Sequence, residues 1–461
     1  MSAVIEDSQP SPRAMPLAAG AESRAIVLGA GGPVSLDRFL ARARALAALL
    51  PDGRHAINLC EDRYHFLLAF CAVALRGQVT LLPASRAPGT IAEEAARHAG
   101  SYCLGDGRFA ATARPPRYWR LPEWLPEAEG APPCVDPEGL AAIGFTSGST
   151  GEPGAHPKRW DSFRASTRQN FAALRDLWPD GAPAHIVATV PPQHMYGLEL
   201  TVLLPLFADV AVHAGRPFFP QDILQALREV PAPRLLVTTP MHLRALLDAC
   251  AADPSIVPPP LAGIVSATAA MPAELAAAAE ARFDCELREF FGSTETCVIA
   301  SRRSAREHAW TPLPGVQLQS QPDGCLVRAP HLPLPVPLAD LVEMRDDGRF
   351  LLRGRNADLL EIAGKRASLG DLTRKLQAVP GVIDGVVFQL DAATGAGGVR
   401  RIAALAVAPG LDETAILGAL RRSIDPVFLP RPLRCVSALP RNPTGKLPRA
   451  ELLDLLHRAS H

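Results

Sequence analysis

The chain carries no surplus of either charge: 47 Lys and Arg stand against 47 Asp and Glu. Neutrality removes the electrostatic footprint of a nucleic-acid binder or of a protein drawn to anionic membranes, and leaves a small molecule as the expected partner. Long apolar runs are also missing. The longest, FLLAFCAVAL at 66 to 75, has about half the length that a membrane span requires, so it predicts a buried helix. The segment MSAVIEDSQPSPRAMPLAAG is acidic and proline-broken, with no basic stretch leading into an apolar one, and a secretory leader is not expected. The nine cysteines, at 60, 71, 103, 134, 250, 285, 297, 325 and 435, form no CxxC pair. That excludes a disulfide framework or a cysteine metal site and predicts reduced, mostly buried thiols in a cytoplasmic protein. The 46 prolines are spread through turns, which argues against a disordered tract.

At 461 residues there is room for two or three domains. The stretch AIVLGAGGPVS at 25 to 35 imitates a dinucleotide-binding start, but Val34 stands where the third glycine is needed. A helix is expected over 36 to 50, with Ser35 as its N-cap. In the middle of the chain, buried-strand patterns at His185–Val190, Leu235–Thr238, Gly263–Ser266 and Leu287–Phe290 alternate with helical patterns at 222–230, 241–251 and 273–283. Alternation of this kind predicts an α/β fold with mainly parallel sheets, whose polar loops gather at the carboxyl ends of the strands. The texture changes near residue 355 to a charged, turn-rich passage. A small α/β domain is expected beyond it, with strands at Gly385–Leu390 and Arg401–Val407 and helices near 412–423 and 449–458.

The loop GFTSGSTGEPGAHPK at 144 to 158 combines glycines with the hydroxyls of Thr146, Ser147, Ser149 and Thr150. Backbone N–H groups and hydroxyls in that mixture cradle phosphate oxygens, although a plain Ser/Gly linker has similar composition. No Gly-Lys-Ser/Thr follows, so it is not a Walker A loop. By residue type alone, Glu295 reads as a helix cap or solvated charge, Phe291 as a core aromatic, Lys446 as a solvated lysine and His194 as a satisfied strand-end histidine.

Read with FGSTET at 291 to 296, VPLAD at 336 to 340, GRNADLLEIAGKR at 354 to 366 and LPRNPTGKLPR at 439 to 449, that loop resembles the adenylate-forming superfamily of acyl-CoA synthetases, peptide-synthetase adenylation domains and luciferases. INLCEDRYHFLLAF and PPQHMYGLEL are most similar to compact bacterial AMP-ligases of aryl-polyene and xanthomonadin-type pigment synthesis. The resemblance implies a large N-terminal domain over 1 to 355 and a mobile C-terminal domain over 356 to 461. It implies ATP and Mg²⁺, a small carboxylic acid such as a hydroxybenzoate or a short to medium acyl acid, and coenzyme A or a phosphopantetheinyl acyl carrier protein as acceptor.

By that resemblance the nucleotide is held by Thr146, Ser147, Gly148, Ser149, Thr150, Gly151, Ala267, Phe291, Gly292, Asp340 and Arg355. Thr294 touches the α-phosphate and Glu295 is the Mg²⁺ carboxylate. Lys446 bridges the reacting groups, where a fixed cation stabilises the transition state. His194 gates the acyl site, which Tyr196, Gly197 and Ser266 line, and Gly364 borders the thiol passage. Two positions depart from the pattern. The phosphate-loop lysine is replaced by Gly154, with Lys158 as the candidate substitute, and the hinge position is Ala357. The alternatives are a ligase that stops at the acyl-adenylate and an inactive nucleotide-binding module.

Overall fold

The computed structural model describes residues 14–29, 31–110, 113–146, 154–321, 324–355, 359–362, 365–390, 402–442 and 445–459. They fall into two compact units. The first gathers Met1–Glu307 with Leu313–Val316 and Ala329–Leu334, and the second His308–Pro312, Gln317–Arg328 and Pro335–His461. The border expected at residue 355 thus lies inside the second unit, and residues 356 to 358 lie outside the described residues. Strands Asp340–Met344 and Phe350–Arg355 pair with each other there, and Phe350 bridges to Trp310, which gathers these residues into that unit.

In the first unit the strands, in chain order, are β1 (Ala25–Leu28), β2 (Val34–Ser35), β3 (His55–Asn58), β4 (Val79–Leu82), β5 (Tyr102–Gly105), β6 (Tyr118–Arg120) and β7 (Leu140–Thr146). Next come β8 (Gly154–Arg159), β9 (Ala184–Ala188), β10 (Val210–His213), β11 (Arg234–Thr238), β12 (Gly263–Ser266), β13 (Glu286–Ser293) and β14 (Cys297–Arg302). One sheet has the order β8-β7-β4-β3-β5-β6, parallel except for the β7–β8 hairpin. In the other, the first unit's strands run in the order β14-β13-β12-β11-β9-β10-β1-β2, parallel from β13 to β1, with β14 and β2 antiparallel to their neighbours β13 and β1. Short β-branched and aliphatic runs, buried on both faces, are what a parallel sheet demands.

Segment AIVLGAGGPVS forms β1 and β2, an antiparallel pair, where a nucleotide fold would put a helix. The helix that follows is α1 (Leu36–Leu49); Ser35 occupies its N-cap position but its side chain makes no capping bond. α2 (Arg63–Leu75) contains the longest apolar run and is buried nearly all round, started by Asp62, whose carboxylate accepts from the His65 N–H. Helices Pro220–Glu229, Pro240–Ala252 and Ala273–Phe283 cover one face of the second sheet and close a core of Leu236, Ile264 and Leu287 with Leu224, Leu246 and Leu275. The strand order reverses at β9, which pairs with β10 on one side and β11 on the other. The loop after β9, PPQHMYG, therefore leaves from a topological switch point, where open α/β sheets bind ligands.

Within the second unit, the hairpin Asp384–Gln389 with Ile402–Val407 gains a third strand, Leu433–Cys435, and packs Phe388 and Leu405 against helix Arg449–Arg458. All nine cysteines are free and Cys134 alone is exposed. Among the described residues no helix is long and apolar enough to cross a membrane.

Candidate active site

The turn between β13 and β14 carries Thr294 and Glu295. Ser293 pairs with Cys297 across the ladder, so three residues make the loop. Cys297 closes it in the left-handed region at φ 59°, a strained placement for a side-chain-bearing residue, of the kind that gathers at functional sites. Ser293 and Thr296 lock the turn internally: the Thr296 N–H donates to Ser293 Oγ at 3.2 Å and the Ser293 N–H to Thr296 Oγ1 at 3.1 Å. Gly292 is required beneath it, since a Cβ there would stand 2.1 Å from the Cys297 carbonyl oxygen.

Three buried side chains from other segments hold this turn. Lys158, on β8, donates its Nζ to the Glu295 carbonyl at 2.6 Å. His331 Nε2 meets the Thr296 carbonyl at 2.7 Å, and its Nδ1 meets the Gln169 amide at 2.5 Å. Burial drives His331 down to about 4, aided by Lys158 and opposed by the Thr296 carbonyl. The Thr296 carbonyl and the Gln169 Oε1 both accept, and a neutral ring, with a single N–H, donates to one of them at a time. Glu199 accepts from the Val298 N–H at 3.0 Å and from Asn170 Nδ2 at 3.0 Å. It lies in a π-helical turn, Glu199–Leu203, a distortion common at functional sites. Complete burial raises its carboxyl to about 7, against the opposing pull of Asn170, the Val298 N–H and Lys158.

The Glu295 carboxylate itself is half-buried. Burial pushes it up, but the Ser293 hydroxyl, its own N–H and the charges of His156 and Lys158 outweigh that, so it stays below the ordinary carboxylate range. Its Oε1 lies 3.5 Å from His156 Nε2. An ionised, partly exposed carboxylate is a fitting ligand for Mg²⁺, which takes one or two protein carboxylates together with substrate phosphates. Among the described residues no group of three or more His, Cys, Asp or Glu could hold a metal by itself.

Of the expected site residues, Thr146, Lys158, Thr294 and Glu295 come together here. Ser147, Gly148, Ser149, Thr150, Gly151 and Gly364 lie outside the described residues. His194 starts the helix Met195–Leu198 after β9. The Tyr196 hydroxyl donates to the Val265 carbonyl at 2.9 Å, which ties that helix to the ends of β11 and β12. Gly197 leaves no room for a side chain, since a Cβ would fall 2.0 Å from the Pro191 oxygen. Ser266 and Ala267 are buried at the carboxyl end of β12, and Ser266 Oγ has no hydrogen-bond partner among the described residues. In the second unit, Asp340 and Arg355 stand opposite each other across one antiparallel pair; Arg355 is described by its backbone alone. Lys446 is exposed, in a loop where its N–H donates to Asn442 Oδ1 at 2.9 Å.

Glu199, His156 and His331 were not among the expected residues. A lone glutamate inside the apolar run MYGLELTVLLPLF was the available signal for Glu199, because an acid there is buried with partners or not present at all. Period-two spacing of Gly154, His156 and Lys158 was the signal for His156.

Residues 18–325 match the family model of the AMP-binding enzymes. The chain belongs to that family. It is 32% identical over 314 residues to a 4-coumarate–CoA ligase of Rhodobacter capsulatus, covering 67% of this chain and 75% of the relative. It is 30% identical over 319 residues to a 4-coumarate–CoA ligase of Halorhodospira halophila, covering 66% and 73%. An o-succinylbenzoate–CoA synthetase from Bacillus subtilis, solved with its acyl-adenylate intermediate, shares the fold with a TM-score of 0.76 at 17% identity, over 93% of this chain and 95% of that one.

Proposed function

We infer that the chain is an AMP-forming acid–thiol ligase. It activates a carboxylic acid with ATP, releasing pyrophosphate, and passes the acyl group of the resulting acyl-adenylate to a pantetheine thiol, releasing AMP. The observation that carries this reading is the strained, internally locked turn of Thr294 and Glu295 in a chain of the AMP-binding family. Thr294 would contact the α-phosphate and Glu295 would hold Mg²⁺. When bound, Mg²⁺ supplies neutralisation of charge on the departing pyrophosphate. Phe291, Gly292 and Ala267 would border the adenine, and Asp340 with Arg355 the ribose. The 147–151 loop would enclose the outer phosphates. Lys446 would place a cation between the incoming carboxylate and the α-phosphate, where charge develops.

The two halves of the reaction need different surroundings, one excluding the thiol and one admitting it. We place a swivel at 355 to 358, with Gly364 beside the thiol passage after rotation. A hinge needs residues that absorb a backbone change, and Ala357 meets that requirement. For the acid, Ser266 Oγ, His242 Nε2 and Gln193 Oε1 are buried without partners among the described residues, at or just beyond the ends of β12, β11 and β9. Orphaned polar atoms favour a ligand with polar substituents, such as a hydroxylated aryl acid, and the ligases named for 4-coumarate point the same way. The likeness to pigment-type ligases is a finer proposal, as are a cytoplasmic setting and an acyl carrier protein in place of coenzyme A.

The test is ATP–pyrophosphate exchange with hydroxybenzoates, hydroxycinnamates and aliphatic acids, followed by thiol consumption with coenzyme A or a loaded carrier protein. Acid-dependent exchange with thiol consumption supports the ligase. Exchange without thiol consumption reduces it to an acyl-adenylate former, and no exchange by folded protein leaves a nucleotide-binding module.

A further inference from the structure

Alternation along β8 places Gly154, His156 and Lys158 on one face, with Ala155 and Pro157 exposed on the other. That face looks toward the Glu295 turn, and its three positions are used differently. Lys158 is 6% exposed and its Nζ is committed to the Glu295 main-chain carbonyl. Gly154 offers nothing. His156 is the side chain between them: its Nε2 lies 3.1 Å from Thr146 Oγ1 and 3.5 Å from Glu295 Oε1. The ring therefore bridges the last described residue before the phosphate-type loop and the carboxylate proposed to hold the metal. Its side chain keeps 23% of its surface in solvent, so an incoming ligand can reach it.

Gly154 and His156 are coupled by space. A Cβ at 154 would stand 2.9 Å from Thr146 Oγ1 and 3.0 Å from His156 Nε2, closer than side chains tolerate. Glycine at 154 is thus what lets the imidazole lie back along the strand and reach the hydroxyl. Resting on the proposed function, we propose that His156 is the side chain this strand offers to the polyphosphate of ATP, in the place of the cation that Gly154 and Lys158 do not supply. In the ligand-free site the ring holds Thr146 and Glu295 in register. With nucleotide bound, Glu295 turns to the metal and the imidazole N–H is released to a phosphate oxygen, a ground-state contact that strengthens binding.

The experiment measures MgATP affinity by titration calorimetry on the parent, His156→Ala, His156→Gln, Gly154→Lys and the double variant Gly154→Lys/His156→Ala, with melting curves to confirm folding. A lost hydrogen bond to a charged group corresponds to about a tenfold weakening for His156→Ala. His156→Gln, which keeps a donor, should fall between that variant and the parent. Gly154→Lys alone should bind poorly because its Cβ displaces the ring, whereas the double variant should recover to within about threefold of the parent, a coupling that only neighbouring residues show. Equal affinity of parent and His156→Ala would overturn the assignment and leave the ligase reading standing, as would a double variant no better than Gly154→Lys. A parent that binds no MgATP would overturn both.

Discussion

The two loops that bear the proposed chemistry are built in opposite ways. Around Glu295, buried side chains reach in from β8, from the π-helical turn and from His331 to grip main-chain groups of Glu295, Thr296 and Val298, so the turn is fixed from inside the first unit. Around Lys446, in the second unit, the hydrogen bonds hold the main chain of a surface loop. Asn442 and Lys446 exchange hydrogen bonds, and Arg441 donates to the Gly445 carbonyl at 2.7 Å while pairing with Asp384, yet the lysine side chain is exposed. The difference teaches where precision is needed. A residue that binds nucleotide and metal in the ground state gains from a rigid, core-anchored setting. The role proposed for Lys446, to act in one half-reaction and then leave, suits a surface loop whose backbone is fixed.

Breaking the exposed side of this comparison should have the largest effect. Lys446→Ala is expected to slow acyl-adenylate formation by on the order of a hundredfold or more, as for loss of a preorganised charge at a reacting centre. MgATP affinity and melting temperature should stay near the parent values, and stopped-flow pyrophosphate release with parallel calorimetry checks all three. On the anchored side, Gly292→Ala forces a methyl onto the Cys297 carbonyl and should cost roughly 1–3 kcal/mol in a urea melt, with weakened nucleotide binding. Stability and binding therefore fall together at Glu295, whereas at Lys446 the rate of adenylation falls alone.

Glu199 sharpens the comparison through pH. Burial raises its carboxyl from the ordinary 4.5 to about 7 in the folded chain, so between those values the folded state holds a proton that the unfolded state has lost. Stability from this group is full below about pH 4.5 and falls as pH rises through 7, by roughly 3 kcal/mol at most. Glu199→Gln removes that slope, so the variant should gain on the parent in urea midpoint from pH 5 to pH 8. The smallest effect expected is for Lys158→Met. It leaves the Glu295 carbonyl without its donor, which costs about 1–2 kcal/mol, and should raise the Mg²⁺ concentration needed for half-maximal exchange. Lys158→Arg should restore part of that loss.

Most of the sheet was legible because its strands are short, apolar and bounded by turn residues: Gly263–Ser266 falls where the pattern put it, and Arg234–Thr238 begins one residue earlier than expected. The start of the chain was harder, since glycines at 29, 31 and 32 serve a nucleotide loop or a hairpin equally well, and it is pairing across space that makes β1 and β2 a hairpin. For the site, motif spacing brought Thr146, Thr294 and Glu295 into one expectation. It could not show that Lys158 is buried, because lysine belongs to the surface by type and it takes the Glu295 carbonyl above it to give its Nζ a partner inside. Nor could it pick out His331, whose role depends on a carbonyl and an amide that are distant in sequence.

The most direct test of the central claim is mass spectrometry of the enzyme's product with MgATP and the preferred acid, first without and then with coenzyme A or a loaded carrier protein. The account predicts acyl-adenylate accumulating to about the enzyme concentration in the first stage and converting to thioester and AMP in the second, with Lys446→Ala blocking the first. Hydrolysis of ATP to ADP, or no acyl-adenylate with any acid that binds, would contradict it.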